Sequence, residues 1–315
     1  MPLVNLKDII EDARQNKYSL GCFNVFNTES LEGTITAAIN MKSPVVLAIY
    51  QLHFKYSNLE SFTVLARKVA NMVDIPVALH LEYATSLKEI VRAIRYGFTS
   101  LMFVGPEDIG LGQKIELTKK AAEIAHSGGL LLESEISGMV TAGENSSKSN
   151  DAGLEQTIEF INKTGIDILS PDIGSVHGLT EGKATLNLNL LDEINAATNC
   201  YLSMHGGSGV DDETIRKAIN LGICKSSVFS LISKTAVNRI KTAVASNPDI
   251  VSLSNETRKG FKEAIENRLE VFGSKNIVKT KANHSYINNI KTGAEKTDMV
   301  ELITKEILKQ IRTKL

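Results

Sequence analysis

Short apolar runs rich in β-branched residues alternate along the chain with segments whose apolar residues recur at helical spacing. Eight runs predict strands: Leu20–Val25, Val45–Ile49, Val77–Leu81, Ser100–Val104, Leu130–Ser134, Ile166–Ser170, Tyr201–Met204 and Ile223–Phe229. The intervening segments predict helices: Ser30–Met41, Leu59–Val73, Ser86–Tyr96, Gln113–His126, Leu154–Thr164, Leu188–Ala197 and Asp211–Leu221. Eight strand–helix units predict an α/β fold, a closed (β/α)8 (TIM) barrel. An open doubly wound sheet is the alternative, but no G-x-G-x-x-G motif follows the first strand.

The pattern changes near the end of the chain. Helices near Ser230–Ala245 and Asn255–Phe272 complete the barrel, and the composition becomes polar after Gly273. Thr297–Lys314 is amphipathic. We therefore predict a barrel over 1–278, and a polar linker with a C-terminal helix over 279–315. That helix could dock on a partner subunit or on its own barrel, and we expect a homo-oligomer, a dimer or a tetramer.

The net charge and the cysteine content limit the classes of binding partner and the cellular compartment that we expect. The formal net charge of −1 gives no electrostatic reason to expect binding to nucleic acid or to an anionic membrane surface. No apolar run approaches the roughly 20 residues that span a bilayer. The three cysteines, Cys22, Cys200 and Cys224, form no C-x-x-C pair. They are expected to be buried free thiols of a cytoplasmic protein.

Polar residues gather where the predicted strands end, which is the catalytic end of this barrel. His177 and His205 both lie there and are both followed by glycine. Two histidines with carboxylates at one barrel mouth are typical of a divalent metal site, although each histidine could instead be a hydrogen-bonded packing residue. The run Gly206–Gly209 precedes a helix and could bind phosphate through backbone N–H groups. The polar segment Gly138–Asp151 is either a mobile active-site loop or a neutral insertion.

Six segments together resemble the class II ketose-bisphosphate aldolases, the metal-dependent fructose- and tagatose-bisphosphate aldolase family. They are YSLGCFNVFNTESLEGTITAAINMKSPVVL, IPVALHLEYATSLKEIVRAIRYGFTSLMF, LLLESEI, DIGSVHG, HGGSGVDDETIRKAINLGICKSSV and NRLEVFGS. The resemblance runs from Leu3 to about Val278. It implies a lyase that uses a divalent metal, usually zinc, to make or break a C–C bond in a phosphorylated ketose.

The resemblance, together with the polar residues at the strand ends, gives expected roles to individual residues. The expected metal ligands are His177, His205 and Glu135. The residues expected to bind substrate or phosphate are Asn24, Gly178, Gly207, Ser208, Ser227 and Ser230. Glu82 and Tyr83 are the expected catalytic residues.

The sequence departs from the family where the chemistry is expected. The family's H-L-D-H reads His80-Leu81-Glu82-Tyr83, so a glutamate replaces the catalytic aspartate and a tyrosine replaces the third metal-binding histidine. The extra methylene of Glu82 moves its carboxylate by about 1 Å, and a misplacement of that size can cost about 100-fold in rate. Ser227 replaces the family's substrate-binding asparagine. Tyr83 is a poorer ligand than histidine, because a phenol must ionise to bind a metal well.

Three functions are consistent with these residues. The first is a metal-dependent lyase in which Glu82 moves the proton. The second is a metal-free isomerase, epimerase or aldol enzyme with Glu82 as base and Tyr83 as acid. The third is a non-catalytic protein that binds a sugar phosphate. The fold alone does not separate them.

Overall fold

The computed structural model describes residues 3–55, 58–136, 152–175 and 185–279. Its strands are β1 (Leu20–Asn24), β2 (Val45–Tyr50), β3 (Val77–Ala84), β4 (Ser100–Phe103), β5 (Leu132–Glu135), β6 (Ile168–Ser170), β7 (Tyr201–Met204) and β8 (Ile223–Val228). All neighbours are parallel, and β8 pairs with β1, so the sheet closes in chain order. The predicted (β/α)8 barrel is confirmed, and the open sheet is excluded. No helix within the described ranges is long and apolar enough to cross a membrane.

Ten α-helices surround these strands in the part of the chain that the structure describes. They are α1 (Lys7–Gln15), α2 (Thr28–Met41), α3 (Leu59–Ala70), α4 (Leu87–Tyr96), α5 (Leu111–Ser127), α6 (Leu154–Thr164), α7 (Leu188–Ala197), α8 (Asp212–Asn220), α9 (Ser230–Val244) and α10 (Ile250–Val271). The sequence pattern did not predict α1. Its apolar face is short, but Ile10 and Ala13 join a buried cluster with Leu20 and Cys22 of the barrel.

The barrel interior changes from apolar to polar along each strand, because alternate residues of a strand share one face. On β3, Ala78 belongs to the buried apolar cluster next to α1, and His80 and Glu82 follow it at intervals of two. Leu131, Glu133 and Glu135 repeat this order on the β5 segment. An apolar floor therefore supports a polar layer and a polar mouth, whereas the layers of such barrels are usually filled with branched apolar side chains.

An irregularity in β3 brings two consecutive side chains to the mouth. The pairing of β3 with β4 shifts register between Leu81 and Ala84, and Tyr83 has a positive φ of 56°. Consecutive residues of a regular strand point to opposite faces, but both Glu82 and Tyr83 bond to side chains from other strands. A left-handed backbone at a bulky residue costs about 1–3 kcal/mol and is concentrated at functional sites.

Helix α10 packs closely against α2 and α9 at two glycines. A Cβ on Gly260 would lie 2.5 Å from the Cα of Ala236, and a Cβ on Gly33 would lie 2.8 Å from the Cβ of Phe261. Neither position has room for a side chain, so these glycines set the spacing of the three helices.

Several predicted features lie outside the described residues. They are the whole predicted loop 138–151, the site residues His177 and Gly178, and residues 280–315. The division into 1–278 and 279–315 therefore stays a prediction. Cys22 and Cys224 are free and buried as expected. The expectation for Cys200 was wrong, because this free thiol is only partly buried just before β7.

Candidate active site

The Glu82 carboxylate is held at the barrel mouth by side chains from the first and last strands. Asn24 Nδ2 donates to Glu82 Oε2 at 2.6 Å, and Ser227 Oγ donates to Glu82 Oε1 at 3.0 Å. Only 2% of Glu82 is exposed. Three predicted site residues that are distant in sequence therefore form one group, in which both carboxylate oxygens have a donor.

Tyr83 lies beside this group and bonds to the next predicted residue. Its hydroxyl is 2.8 Å from Nδ1 of His205, and the two rings meet edge to face with centroids 5.3 Å apart. Tyr50 contacts the Tyr83 ring at the same distance from its outer side. Burial first, and then the charge of Glu135, raises the pKa of Tyr83 well above its ordinary value, so its hydroxyl keeps its proton.

The other nitrogen of His205 points down into the polar layer. His205 Nε2 is 2.7 Å from Glu133 Oε1, and Ser203 donates to the same oxygen at 2.7 Å. Lys225 Nζ lies 2.9 Å from the second oxygen, Glu133 Oε2. A carboxylate only accepts, so Nε2 of His205 donates, and in the tautomer with its hydrogen on Nε2 the other nitrogen, Nδ1, accepts from the Tyr83 hydroxyl.

Fully buried charges in this layer stabilise one another. Burial alone would raise the pKa of Glu133, but Lys225 and the hydrogen bond from His205 hold it well below its ordinary value. Burial would likewise lower the pKa of Lys225, and Cys22 and Glu133 raise it instead. Burial and the nearby Lys225 keep the pKa of His80 well below its ordinary value. The layer therefore contains a carboxylate, an ammonium group and a neutral imidazole.

Glu135, a predicted metal ligand, lies in a different electrostatic environment from Glu133. It is 8% exposed, and burial raises its pKa to about 7, although Lys114 and His205 act in the opposite direction. Lys114 lies in the first turn of α5 and is itself 8% exposed. Burial lowers the pKa of this lysine.

The predicted phosphate loop lies at the start of α9. Gly206 has a positive φ of 72°, and Gly207–Gly209 form a short 3₁₀ helix. Ser208 Oγ accepts from the backbone N–H of Leu231, directly after Ser230, the first residue of α9. The start of α8, by contrast, is capped by the Asp211 carboxylate. Gly207, Ser208 and Ser230 therefore come together at the start of α9, where the N-cap residue Phe229 supplies no side-chain cap and the helix dipole favours an anion.

Aromatic rings line the mouth next to Tyr83. His53 lies between Phe26, Tyr50 and Phe229, with ring centroids 5.1–5.4 Å apart. Burial lowers the pKa of His53. Neither His53 nor the two phenylalanines were among the predicted site residues, because nothing in their spacing marks them.

The described part of the predicted metal site does not fit a metal ion. A metal needs a nitrogen lone pair of His205, yet Nε2 is engaged by Glu133 and Nδ1 by Tyr83. Among the residues the structure covers, no group of three or more His, Cys, Asp or Glu side chains could hold a metal. His177, the remaining predicted ligand, lies outside those residues, so the complete ligand set stays a prediction.

Sequence analysis also missed Lys225 as part of this network. A lysine between Cys224 and Ser226 of an apolar strand is a signal in itself, because lysine is almost never fully buried without a partner. Its partner Glu133 precedes the predicted ligand Glu135 by two residues and therefore shares its strand face.

Comparison with known proteins places this site in a family. The family model for class II fructose-bisphosphate aldolase matches residues 4–277. The fructose-bisphosphate aldolase of Staphylococcus epidermidis strain RP62A is 30% identical over 290 residues, which cover 89% of this chain and all of the relative. A probable fructose-bisphosphate aldolase of Bacillus subtilis strain 168 is 31% identical over 287 residues, 88% of this chain and 99% of the relative. The crystal structure of the YdjI aldolase of Escherichia coli K12 superposes with a TM-score of 0.76 at 28% identity, covering 87% and 98% of the two chains. The chain belongs to the class II fructose-bisphosphate aldolase family.

Proposed function

We propose that the protein is an aldehyde-lyase that makes or breaks a C–C bond in a phosphorylated ketose. The observation that carries the proposal is the Glu82 carboxylate, held by Asn24 and Ser227 at the mouth of a barrel of this family and close enough for its charge to act on the Tyr83 hydroxyl. A base and a hydroxyl donor on consecutive residues suit a reaction that moves one proton and develops one negative charge on oxygen.

In the cleavage direction, Glu82 removes the proton of the hydroxyl group on the carbon that becomes the aldehyde carbon. That O–H electron pair forms the aldehyde carbonyl, and the pair of the broken C–C bond forms an enolate with the ketose carbonyl. After the aldehyde leaves, Glu82 returns the proton to the enolate carbon. Glu82 ends as a carboxylate, so the cycle balances without an added oxidant or reductant.

The enolate oxygen needs a hydrogen-bond donor where its charge develops. Asn24 and Ser227 already donate to Glu82, whereas the neutral Tyr83 hydroxyl on the following residue bonds to His205 and can serve as that donor. Asn24 and Ser227 orient Glu82, and their bonds to both of its oxygens favour one geometry of the carboxylate.

The substrate's phosphate is expected at Gly207, Ser208 and Ser230. Backbone N–H groups at the start of α9 and the hydroxyl of Ser208 would donate to the phosphate oxygens. Gly178, which lies outside the described residues, is predicted to join them.

Class II aldolases generally depend on a divalent metal, and zinc is the ion predicted for His177, His205 and Glu135. It would polarise the ketose carbonyl. Both nitrogens of His205 are already engaged by protein groups, so the proton transfer and the charge stabilisation proposed above are carried by Glu82 and Tyr83.

A half-reaction tests the proposal without knowledge of the aldehyde. Incubated in D₂O with dihydroxyacetone phosphate, the wild type should exchange one hydroxymethyl C–H for deuterium, which NMR detects. Glu82→Gln is almost isosteric and removes the base, so exchange should slow by about 100- to 10,000-fold. Binding of dihydroxyacetone phosphate, measured by calorimetry, should change little.

Glu107→Gln is the matched control, since Glu107 is an exposed glutamate close enough for its charge to act on Tyr50. Its exchange rate should equal that of the wild type. If Glu82→Gln exchanges as fast as the wild type, Glu82 is not the base. If the wild type binds dihydroxyacetone phosphate without exchange and cleaves no ketose bisphosphate, the lyase proposal fails and a binding protein is the better description.

Compartment and assembly complete the proposal. Three free thiols in the described structure support a reducing compartment, the cytoplasm. A homo-oligomer is expected, and light scattering of the full chain would measure its size.

A further inference from the structure

We infer that Tyr83 replaces the metal at His205. Its hydroxyl closes Nδ1 of His205 to metal ions and becomes the hydrogen-bond partner of the ketose oxygen, while Glu133 positions His205 from below. The second part of this inference rests on the proposed lyase function, whereas the first part does not.

The three side chains form one continuous line of hydrogen bonds from the mouth to the polar layer. The Tyr83 hydroxyl lies 2.8 Å from Nδ1 of His205, and Nε2 lies 2.7 Å from Glu133 Oε1. Each of these side chains is at most 7% exposed. An imidazole has only two nitrogens, so a metal can bind His205 only after displacing Tyr83 or Glu133.

Displacing Glu133 is the harder route. Its second oxygen is paired with Lys225 at 2.9 Å, and neither side chain is exposed. Ser203 donates to its first oxygen at 2.7 Å. Tyr83 is therefore the group that decides whether Nδ1 of His205 can bind a metal ion. It stands at the sequence position where the resemblance to class II aldolases implies a metal-binding histidine.

The backbone also holds Tyr83 in this position. Its backbone has a positive φ of 56°, and the rings of Tyr50 and His205 both contact its ring, each with a centroid distance of 5.3 Å. A phenol hydrogen can turn about its C–O bond, and the oxygen keeps acceptor capacity. The hydroxyl can thus turn from Nδ1 to a substrate oxygen while the ring stays in place.

Metal binding tests the first part directly. Full-length protein purified without chelator would be analysed for bound metal and then titrated with Co²⁺, whose visible absorption reports ligand geometry. Tyr83→Phe removes the competing hydrogen bond and should tighten Co²⁺ binding about 10-fold. Tyr83→His also adds a ligand and should bind more tightly still, with a ligand-field band that the wild type lacks.

Tyr50→Phe is the matched control, because it removes a hydroxyl from the neighbouring ring and leaves the His205 bond intact. Its Co²⁺ affinity should equal that of the wild type. A wild type that takes up one equivalent of Co²⁺ as tightly as Tyr83→His would overturn the inference.

Turnover tests the second part. With excess EDTA, the wild type should keep its exchange of dihydroxyacetone phosphate in D₂O, and Tyr83→Phe should lose about 100- to 1,000-fold in kcat with little change in KM. If His205 acts through Tyr83, adding His205→Asn to Tyr83→Phe should cause no further loss of kcat.

Exchange that EDTA abolishes and Zn²⁺ restores would overturn the inference and leave the lyase proposal standing. If no form of the protein shows exchange, the lyase proposal fails, and the Co²⁺ titrations still decide whether Tyr83 closes His205.

Discussion

Replacing Lys225 with methionine should destabilise the fold by about 3–5 kcal/mol, because it leaves a buried carboxylate without its cation. Lys225 Nζ lies 2.9 Å from Glu133 Oε2, and both side chains are fully buried. Methionine nearly fills the same volume, so the loss reports charge rather than a cavity. Urea unfolding of wild type and Lys225→Met, followed by circular dichroism, would measure the difference in the free energy of unfolding.

The same change at an exposed ion pair is the control. Lys217 Nζ lies 2.8 Å from Glu213 Oε1 on the surface, where solvent screens the pair, so Lys217→Met should lower the free energy of unfolding far less than Lys225→Met. Adding Glu133→Gln to Lys225→Met removes the unpaired charge and should recover much of the loss. A Lys225→Met loss no larger than that of Lys217→Met, or the absence of any rescue, would refute the reasoning.

The loss of unfolding free energy caused by Lys225→Met should depend on pH in a defined direction. The folded-state pKa of Glu133 is depressed, so this residue contributes stability above its unfolded pKa, near 4.5, that is lost as the pH falls through the folded value. Lys225→Met removes the main stabilising charge, so burial should raise the pKa of Glu133 in the variant, and protonation then relieves the unpaired charge as the pH falls. Its destabilisation should therefore be largest near pH 7 and shrink toward pH 4.5, as paired urea titrations would show.

Three further predictions concern other parts of the barrel. Gly207→Ala should weaken binding of dihydroxyacetone phosphate by calorimetry about 10-fold, if one backbone contact to phosphate is lost, with little change in stability; unchanged affinity would place the phosphate elsewhere. Gly260→Ala should cost about 1–3 kcal/mol in urea unfolding, because the new Cβ would lie 2.5 Å from the backbone of Ala236; an unchanged midpoint would mean that α9 and α10 shift apart freely. Burial raises the pKa of Cys22 and Cys224 to about 12, so iodoacetamide at pH 8 should modify neither until the protein is unfolded, and mass spectrometry of labelled native protein would reveal any exception.

The barrel was predictable because its signal is local. Apolar runs such as Tyr201–Met204 and helical segments such as Leu154–Thr164 have the bounds that the structure gives them. Each element must bury one apolar face or stripe, and the spacing of its apolar residues along the chain shows which face that is. Helix α1 carries a shorter apolar face, and only its packing against the barrel reveals it.

The site was predictable in composition and less so in arrangement. The resemblance and the strand ends indicated Glu82, Tyr83 and His205. Tyr83 does bond to His205, and Glu82 bonds to two other predicted residues, Asn24 and Ser227. The bond from Tyr83 to His205 depends on a register shift and a left-handed backbone in β3. Neither feature can be predicted from the local sequence pattern. Lys225 meets Glu133 across the barrel interior, and pairing at that sequence separation follows only from the closed sheet.

The buried pair of Lys225 and Glu133 also bears on how the barrel closes. Strand β8 is the last strand in chain order and closes the sheet onto β1, and its pairing with β7 shifts register between Leu202 and Ser203. A slip of one residue would turn Lys225 toward the helices and leave Glu133 facing Cys224 or Ser226, neither of which carries a positive charge. Misaligned closures would thus keep an unpaired charge in the interior, and the ion pair selects the correct alignment of the final strand.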